Sequence, residues 1–248
     1  MAQELTCITI VTGASRGMGE AIALACAARG HRVLGLSRGH SAALAAAGAE
    51  QWPADLADAA PVARRLGEWL QAQPTAALAG VTLINNAGVI APLRDLARIA
   101  AADTVHALRV GLEAPALLSA AFLDATADWT VPRKLLNISS GLGRRAMAGS
   151  ASYCAAKAGL DHLSRCLALE EAARPNGARV VSLAPGVIAT DMQVQLRGAD
   201  PAEFADRGRF VAMHDNGQLL SPEAAAARIL ACLERADFGE QPVADVRG

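Results

Sequence analysis

Short apolar, β-branched runs recur along the chain between longer stretches rich in alanine and leucine. Residues 6–11, 32–37, 81–85, 135–139 and 179–184 read as strands, with a weaker run at 51–54 and a short closing one at 242–246. Helical patterns fill the intervals at 19–29, 42–47, 61–72, 102–126, 152–173 and 222–235. Ser221 stands where its hydroxyl would cap the last of them, with Pro222 at the first helical position. Strands that alternate with helices pair in parallel through right-handed crossovers and are buried on both faces. Such an α/β chain closes as a (β/α)8 barrel, for which 248 residues is an ordinary length, or lies open as a doubly wound parallel sheet. The glycine-rich turn after the first strand favours the doubly wound sheet. No linker, composition shift or repeat divides residues 1–248, so one domain is expected. Only 193–217 resists the alternation; its glycines and mixed charge suit a mobile flap over a substrate.

Composition narrows the function classes. Hydrophobic residues make up 52% of the chain and charged ones 19%, which excludes a disordered or collagen-like protein. The 23 basic and 24 acidic residues leave a net charge of −1 with no long run of either sign, so no nucleic-acid partner is expected. Apolar runs fall short of membrane-spanning length, and no membrane partner is expected either. The start of the chain lacks a basic region and leads straight into a glycine turn, as a first strand does and a signal peptide does not. Cys7, Cys26, Cys154, Cys166 and Cys232 are scattered and odd in number, which reads as reduced thiols in a cytoplasmic protein. The histidines show no metal-ligand spacing, and no metal site is expected.

Two places carry chemistry. Thr12-Gly13-Ala14-Ser15-Arg16-Gly17-Met18-Gly19 joins the first strand to the first helix, where glycines let a pyrophosphate approach backbone N–H groups at a helix N-terminus. Its Gly-x3-Gly-x-Gly spacing differs from the G-x-G-x-x-G fingerprint. At the end of the second strand an acid would bind the ribose of NAD, whereas Ser37 and Arg38 leave room for the 2′-phosphate of NADP and a cation to pair with it. The second place is Tyr153 with Lys157, four residues apart on one helix face. They join the only tyrosine to one of two lysines. An ammonium beside a phenol favours the phenolate, so a lowered phenol pKa is expected, as acid/base work requires. Ser140 follows a strand and is placed to donate to a substrate carbonyl.

Taken in order, residues 12–19, Asp55-Leu56, Asn85-Asn86-Ala87-Gly88, Ser140, the Tyr153/Lys157 pair and Pro185-Gly186 with Thr190 resemble the short-chain dehydrogenase/reductase family over essentially the whole chain. The resemblance implies a Rossmann-type sheet of about seven strands with helices on both faces, in a homodimer or homotetramer. It also implies reversible hydride transfer between a nicotinamide, NADP(H) by the reading of Ser37 and Arg38, and a small-molecule carbonyl/alcohol pair. Tyr153 would then donate the proton, Ser140 orient the carbonyl, and Lys157 bind the nicotinamide ribose and lower the tyrosine pKa. Gly13, Ser15, Arg16, Gly17, Met18 and Gly19 would surround the cofactor phosphates, and Ser37 and Arg38 the 2′-phosphate. Asp55 would contact adenine with Leu56 beside it, and Asn85, Ala87 and Gly88 would lie along the adenosine. Pro185 and Gly186 would lead to Thr190, which would hold the carboxamide.

The second half is similar to the sepiapterin reductase and benzil reductase branch, through 217–223 and 237–245, with Asp245 either in the place of the pterin-binding acid or a solvated terminal carboxylate, and a general carbonyl reductase is expected ahead of a pterin reductase. One position departs from the family, which usually has an asparagine where this chain has Gly111; that asparagine holds a water in a proton relay through the lysine. Gly111 favours the alternative of an NADP(H)-binding regulatory protein with lost turnover, while Ser140, Tyr153 and Lys157 favour an NADPH-dependent carbonyl reductase. A thiol or metal centre on Cys154 lacks a partner, and Arg144-Arg145 reads as a solvated loop pair.

Overall fold

Successive residues of a strand point to opposite faces of its sheet, and here that parity sorts the helices. Leu83 and Leu135 pack with Leu66, Leu118 and Phe122, whereas their neighbours Ile84 and Leu136 pack with Ile22, Ile229 and Leu230. The computed structural model describes residues 5–247. Its strands are β1 (Thr6–Thr12), β2 (Arg32–Ser37), β3 (Glu50–Pro53), β4 (Leu78–Asn85), β5 (Arg133–Ile138), β6 (Arg179–Ala184) and β7 (Val243–Asp245). They form one 7-stranded parallel sheet in the order β3-β2-β1-β4-β5-β6-β7. The sheet is open at β3 and β7, which decides for the doubly wound arrangement over the barrel. From β1 the chain winds first to β2 and later to β4, so a crevice opens beyond the carboxyl ends of these strands.

The helices are α1 (Gly17–Ala27), α2 (Ala42–Ala46), α3 (Ala59–Gln71), α4 (Ala101–Leu108), α5 (Ala114–Ala125), α6 (Ala151–Ala172), α7 (Asp191–Arg197), α8 (Arg207–Asp215) and α9 (Pro222–Glu234). One face of the sheet is covered by α3, α5 and α6, and the other by α1 and α9 with Leu44 of α2. Ser221 caps α9 as the sequence predicts, its Oγ accepting the Ala224 N–H at 3.1 Å. No described helix is long and apolar enough to cross a membrane.

Three departures have physical causes. β5 begins at Arg133, two residues ahead of the predicted apolar run, because its charge is buried with Glu171 (2.9 Å) and the Asn176 carbonyl. The single predicted helix at 102–126 is divided by a π turn, Arg109–Glu113, between α4 and α5. The region 193–217 carries the end of α7 and all of α8, whose Leu196, Phe204 and Phe210 bury themselves with Leu93 and Met147.

Candidate active site

Thr12 staples the end of β1 to the end of β4. Its Oγ1 accepts the N–H groups of Asn86 (2.9 Å) and Ala87 (3.0 Å), and the Asn86 amide donates to the Thr12 carbonyl at 2.9 Å. Gly19 presses so closely on this staple that a Cβ there would fall 2.2 Å from the Gly13 carbonyl oxygen, so no other residue fits. No side chain caps the N-terminus of α1 behind it, which leaves its N–H groups and helix dipole for an anion. Arg16 reaches from this turn to Asp191 at the start of α7, at 2.8 Å. At the end of β2, Ser37 is buried with its hydroxyl donating to the Gly39 carbonyl at 2.9 Å, and Arg38 is exposed. A Cβ on Gly39 would come within 3.2 Å of Ser15 Oγ, so the glycine turn and the end of β2 close on each other. The loop after β6, with Pro185 and Gly186, leads to Thr190, whose methyl would lie 3.7 Å from a Cβ on Gly17.

Not every residue expected at the cofactor presents its side chain there. Leu56 is buried among the α3 and α5 side chains, as an apolar group must be. Asn85 points into the same layer, where its amide donates to Ser119 (3.2 Å) and Asn137 (2.9 Å). Met18 leans on the core around α1. Asp55 stays exposed and accepts the Ala57 N–H at 3.0 Å, opening the 3-10 turn Leu56–Asp58.

The chemistry gathers where β5 ends. Ser140 opens a short turn, its Oγ accepting the Leu142 N–H at 3.1 Å, and its hydroxyl is near enough to the Tyr153 phenol to draw the phenol pKa down. Lys157 is buried one turn further along α6, donating from Nζ to the Ile138 carbonyl at 2.7 Å. The ammonium lies 5.7 Å from the centre of the tyrosine ring and beside Gly88. Burial pushes the phenol up to about 12, with the Ser140 hydroxyl pulling the other way. Burial also pushes Lys157 down to about 8, opposed by the charge of Asp161. The expectation of a lowered phenol pKa is therefore overturned for the chain alone, because desolvation outweighs the pull of the Ser140 hydroxyl.

Residues 7–200 match the family model of the short chain dehydrogenases. This chain belongs to that family. It is similar to the benzil reductase ((S)-benzoin forming) of Bacillus cereus, 33% identical over 241 residues that cover 94% of this chain and 96% of the relative. It is also similar to the NADPH-dependent pterin aldehyde reductase of Arabidopsis thaliana, 32% identical over 189 residues, 74% of this chain and 75% of the relative. A crystal structure from Beutenbergia cavernae with NADP bound at low occupancy superposes with a TM-score of 0.83, at 27% identity over 98% of this chain and 95% of that one. The protein is thus an oxidoreductase of Rossmann fold, from a family that works with nicotinamide cofactors.

Against that family, Gly111 has a structural explanation. It sits in the π turn with α6 against it, and a Cβ there would lie 3.0 Å from the Cβ of Ala156, the residue before Lys157. Leu112 packs reciprocally on Gly159. Arg144 and Arg145 are both exposed, as the solvated reading expects, but Arg144 is also tied down: its Nε donates to buried Asp161 at 3.1 Å and its Nη2 to the Ala244 carbonyl at 2.9 Å. Asp245 pairs with Arg247 at 2.6 Å, whose guanidinium holds the carboxyl below its usual range. Sequence reasoning passes over Asp161, although its place four residues after Lys157 repeats the step from Tyr153 to Lys157.

Proposed function

We propose that this short-chain dehydrogenase reduces a ketone of a small molecule to an alcohol with NADPH. The observation that carries the reading is the meeting of Ser140, Tyr153 and Lys157 at the end of β5, next to the loop that Thr12 ties to the glycine turn. The uncapped α1 N-terminus fits a pyrophosphate, and Arg38, with Ser15 near it, fits a 2′-phosphate. Lys157 and Thr190 would hold the nicotinamide end. When bound, NADPH supplies the hydride.

Ser140 donates a hydrogen bond to the carbonyl oxygen, and Tyr153 delivers its proton to that oxygen as negative charge builds there. A phenol lifted to about 12 keeps its proton until that moment. The Lys157 ammonium then stabilises the phenolate left behind, which regains a proton from solvent. Leu142 and Cys154, from the turn and helix that carry the reacting groups, pack on the apolar cluster of Met147, Phe204 and Phe210. Such a wall supports an apolar, aromatic flank on the substrate, in keeping with a relative named for benzil.

The test is NADPH consumption with aromatic diketones, pterins, aldehydes and 3-oxoacyl thioesters. Turnover of the diketones is expected, with Tyr153→Phe losing about a hundredfold or more in kcat. Arg38→Ala should raise the NADPH KM about tenfold and spare NADH, since a charge-assisted pair contributes about 1.5–3 kcal/mol. A wild type that binds NADPH and consumes none with any of these would make the chain a cofactor-binding protein without turnover.

A further inference from the structure

We propose that Asp161 is a positioning residue for Lys157, keeping the lysine charged and seated at the end of β5, and that Arg144 sets the strength of this effect. The inference rests on the reading of Lys157 as part of the reacting site.

Tyr153, Lys157 and Asp161 follow one another at four-residue steps on α6, with Ser164 continuing the stripe, and all face the sheet. The sheet answers with a polar row. Asn85, Asn137 and Ser182 stand opposite one another on β4, β5 and β6. Asn137 donates to Ser164 Oγ at 2.8 Å, and Ser182 Oγ donates to Asp161 Oδ1 at 2.6 Å. The second carboxylate oxygen accepts Arg144 Nε at 3.1 Å. Arg144 lies in the turn that Ser140 opens, and it also ties that turn to β7 through the Ala244 carbonyl. Gly143 makes this approach possible: a Cβ on it would fall 2.9 Å from the Lys157 carbonyl and 3.0 Å from Asp161 Oδ2. One carboxylate therefore joins the helix of Tyr153 and Lys157 to the turn of Ser140 and to β6.

A carboxylate that is 2% exposed is costly to bury unless it is paired, as Arg144 and Ser182 pair it here. Its charge also reaches the lysine one helical turn away. Burial drives Lys157 down to about 8, and Asp161 is the charge that resists. The other charged or titratable groups around this pair are few. They are Tyr153 on the same helix, Arg144 on the Ser140 turn and, past it, Asp245 with Arg247 at β7. β5 contributes the Ile138 carbonyl, β6 the Ser182 hydroxyl, the loop after β4 Gly88 and the π turn Gly111, none of them charged. Without Asp161 the lysine would lose its proton nearer neutral pH. Without Arg144 the carboxylate would act uncompensated and hold that proton more tightly.

With only two lysines in the chain, NMR of protein labelled at lysine Cε resolves each titration, and Lys134→Arg assigns them. Asp161→Asn should lower the Lys157 midpoint by about one pH unit or more, and Arg144→Met should raise it. In the NADPH assay the alkaline limb of the pH profile should follow, in the same opposite directions. Two variants that merely loosen the fold would move the lysine together. Midpoints that stay in place, or shift in the same direction, overturn the proposal. Arg144 is 33% exposed, so Arg144→Met carries the test alone if Asp161→Asn does not fold. The titration needs no turnover: a wild type that consumes no NADPH refutes the proposed reaction, and the lysine midpoints still decide the role of Asp161.

Discussion

Burial and the neighbouring Ser140 hydroxyl pull the single tyrosine in opposite directions. In the chain alone burial wins, lifting Tyr153 from its ordinary 10.0 to about 12, so it is a proton donor held in its acid form. Oxidised nicotinamide would add a positive charge at the phenol and shift the balance toward the phenolate. Spectrophotometric titration of tyrosinate is expected to give a midpoint above 10.0 without cofactor and a lower one with NADP+. Tyr153→Phe is the blank, since no other tyrosine contributes. A midpoint that NADP+ leaves unmoved would separate this phenol from the cofactor and with it from the proposed proton transfer.

Elements meet around the site through small residues. Gly111 and Ala156 bring the π turn against α6, and Gly159 receives Leu112 from the other side. The asparagine usual in the family would place its Cβ 3.0 Å from that of Ala156, a distance neither helix accommodates without shifting. Gly111→Asn is therefore expected to destabilise the protein by about 1–3 kcal/mol, as overpacking does, with Ala156→Gly in the same chain recovering much of the loss. Urea denaturation of the single and double variants measures both. Full stability of Gly111→Asn would mean that α4 and α5 move freely away from α6.

Across the whole molecule, the two ends of the parallel sheet do different work. The carboxyl ends carry the glycine turn, Ser140 and the loops that follow. At the opposite end Arg133 opens β5, buried with Glu171 at 1% and 2% exposure. Glu171 also accepts the Ala178 N–H at 2.8 Å, and Arg133 reaches Thr126 beyond the end of α5, so α5, α6, β5 and β6 are clamped there. Arg133→Ala leaves Glu171 buried without this partner and should cost about 3–5 kcal/mol, while Arg133→Met with Glu171→Leu restores most of it. Since the pair lies far from the crevice, the NADPH KM of the folded fraction should not change. A KM that rises with the loss of stability would show the two ends to be coupled.

Periodicity alone determined the alternation of strands and helices, because period 2 and period 3.6 are local properties of a chain. Local spacing likewise set the glycine turn at the start of α1, the Ser221 cap and the shared face of Tyr153 and Lys157. Other features depended on partners distant in sequence. Arg133 became a strand residue because Glu171, in the last turn of α6, neutralises its charge and the Asn176 carbonyl accepts from it. Asn85 turned inward because sheet parity aims it at α5, and Leu56, in the 3-10 turn after β3, because burial among the α3 and α5 side chains takes it out of water. The phenol pKa depended on how densely the fold surrounds Tyr153, which no spacing encodes. Arg144 found Asp161 only once the Ser140 turn had folded back over α6, since a contact between a loop and a helix face is fixed by packing and not by periodicity.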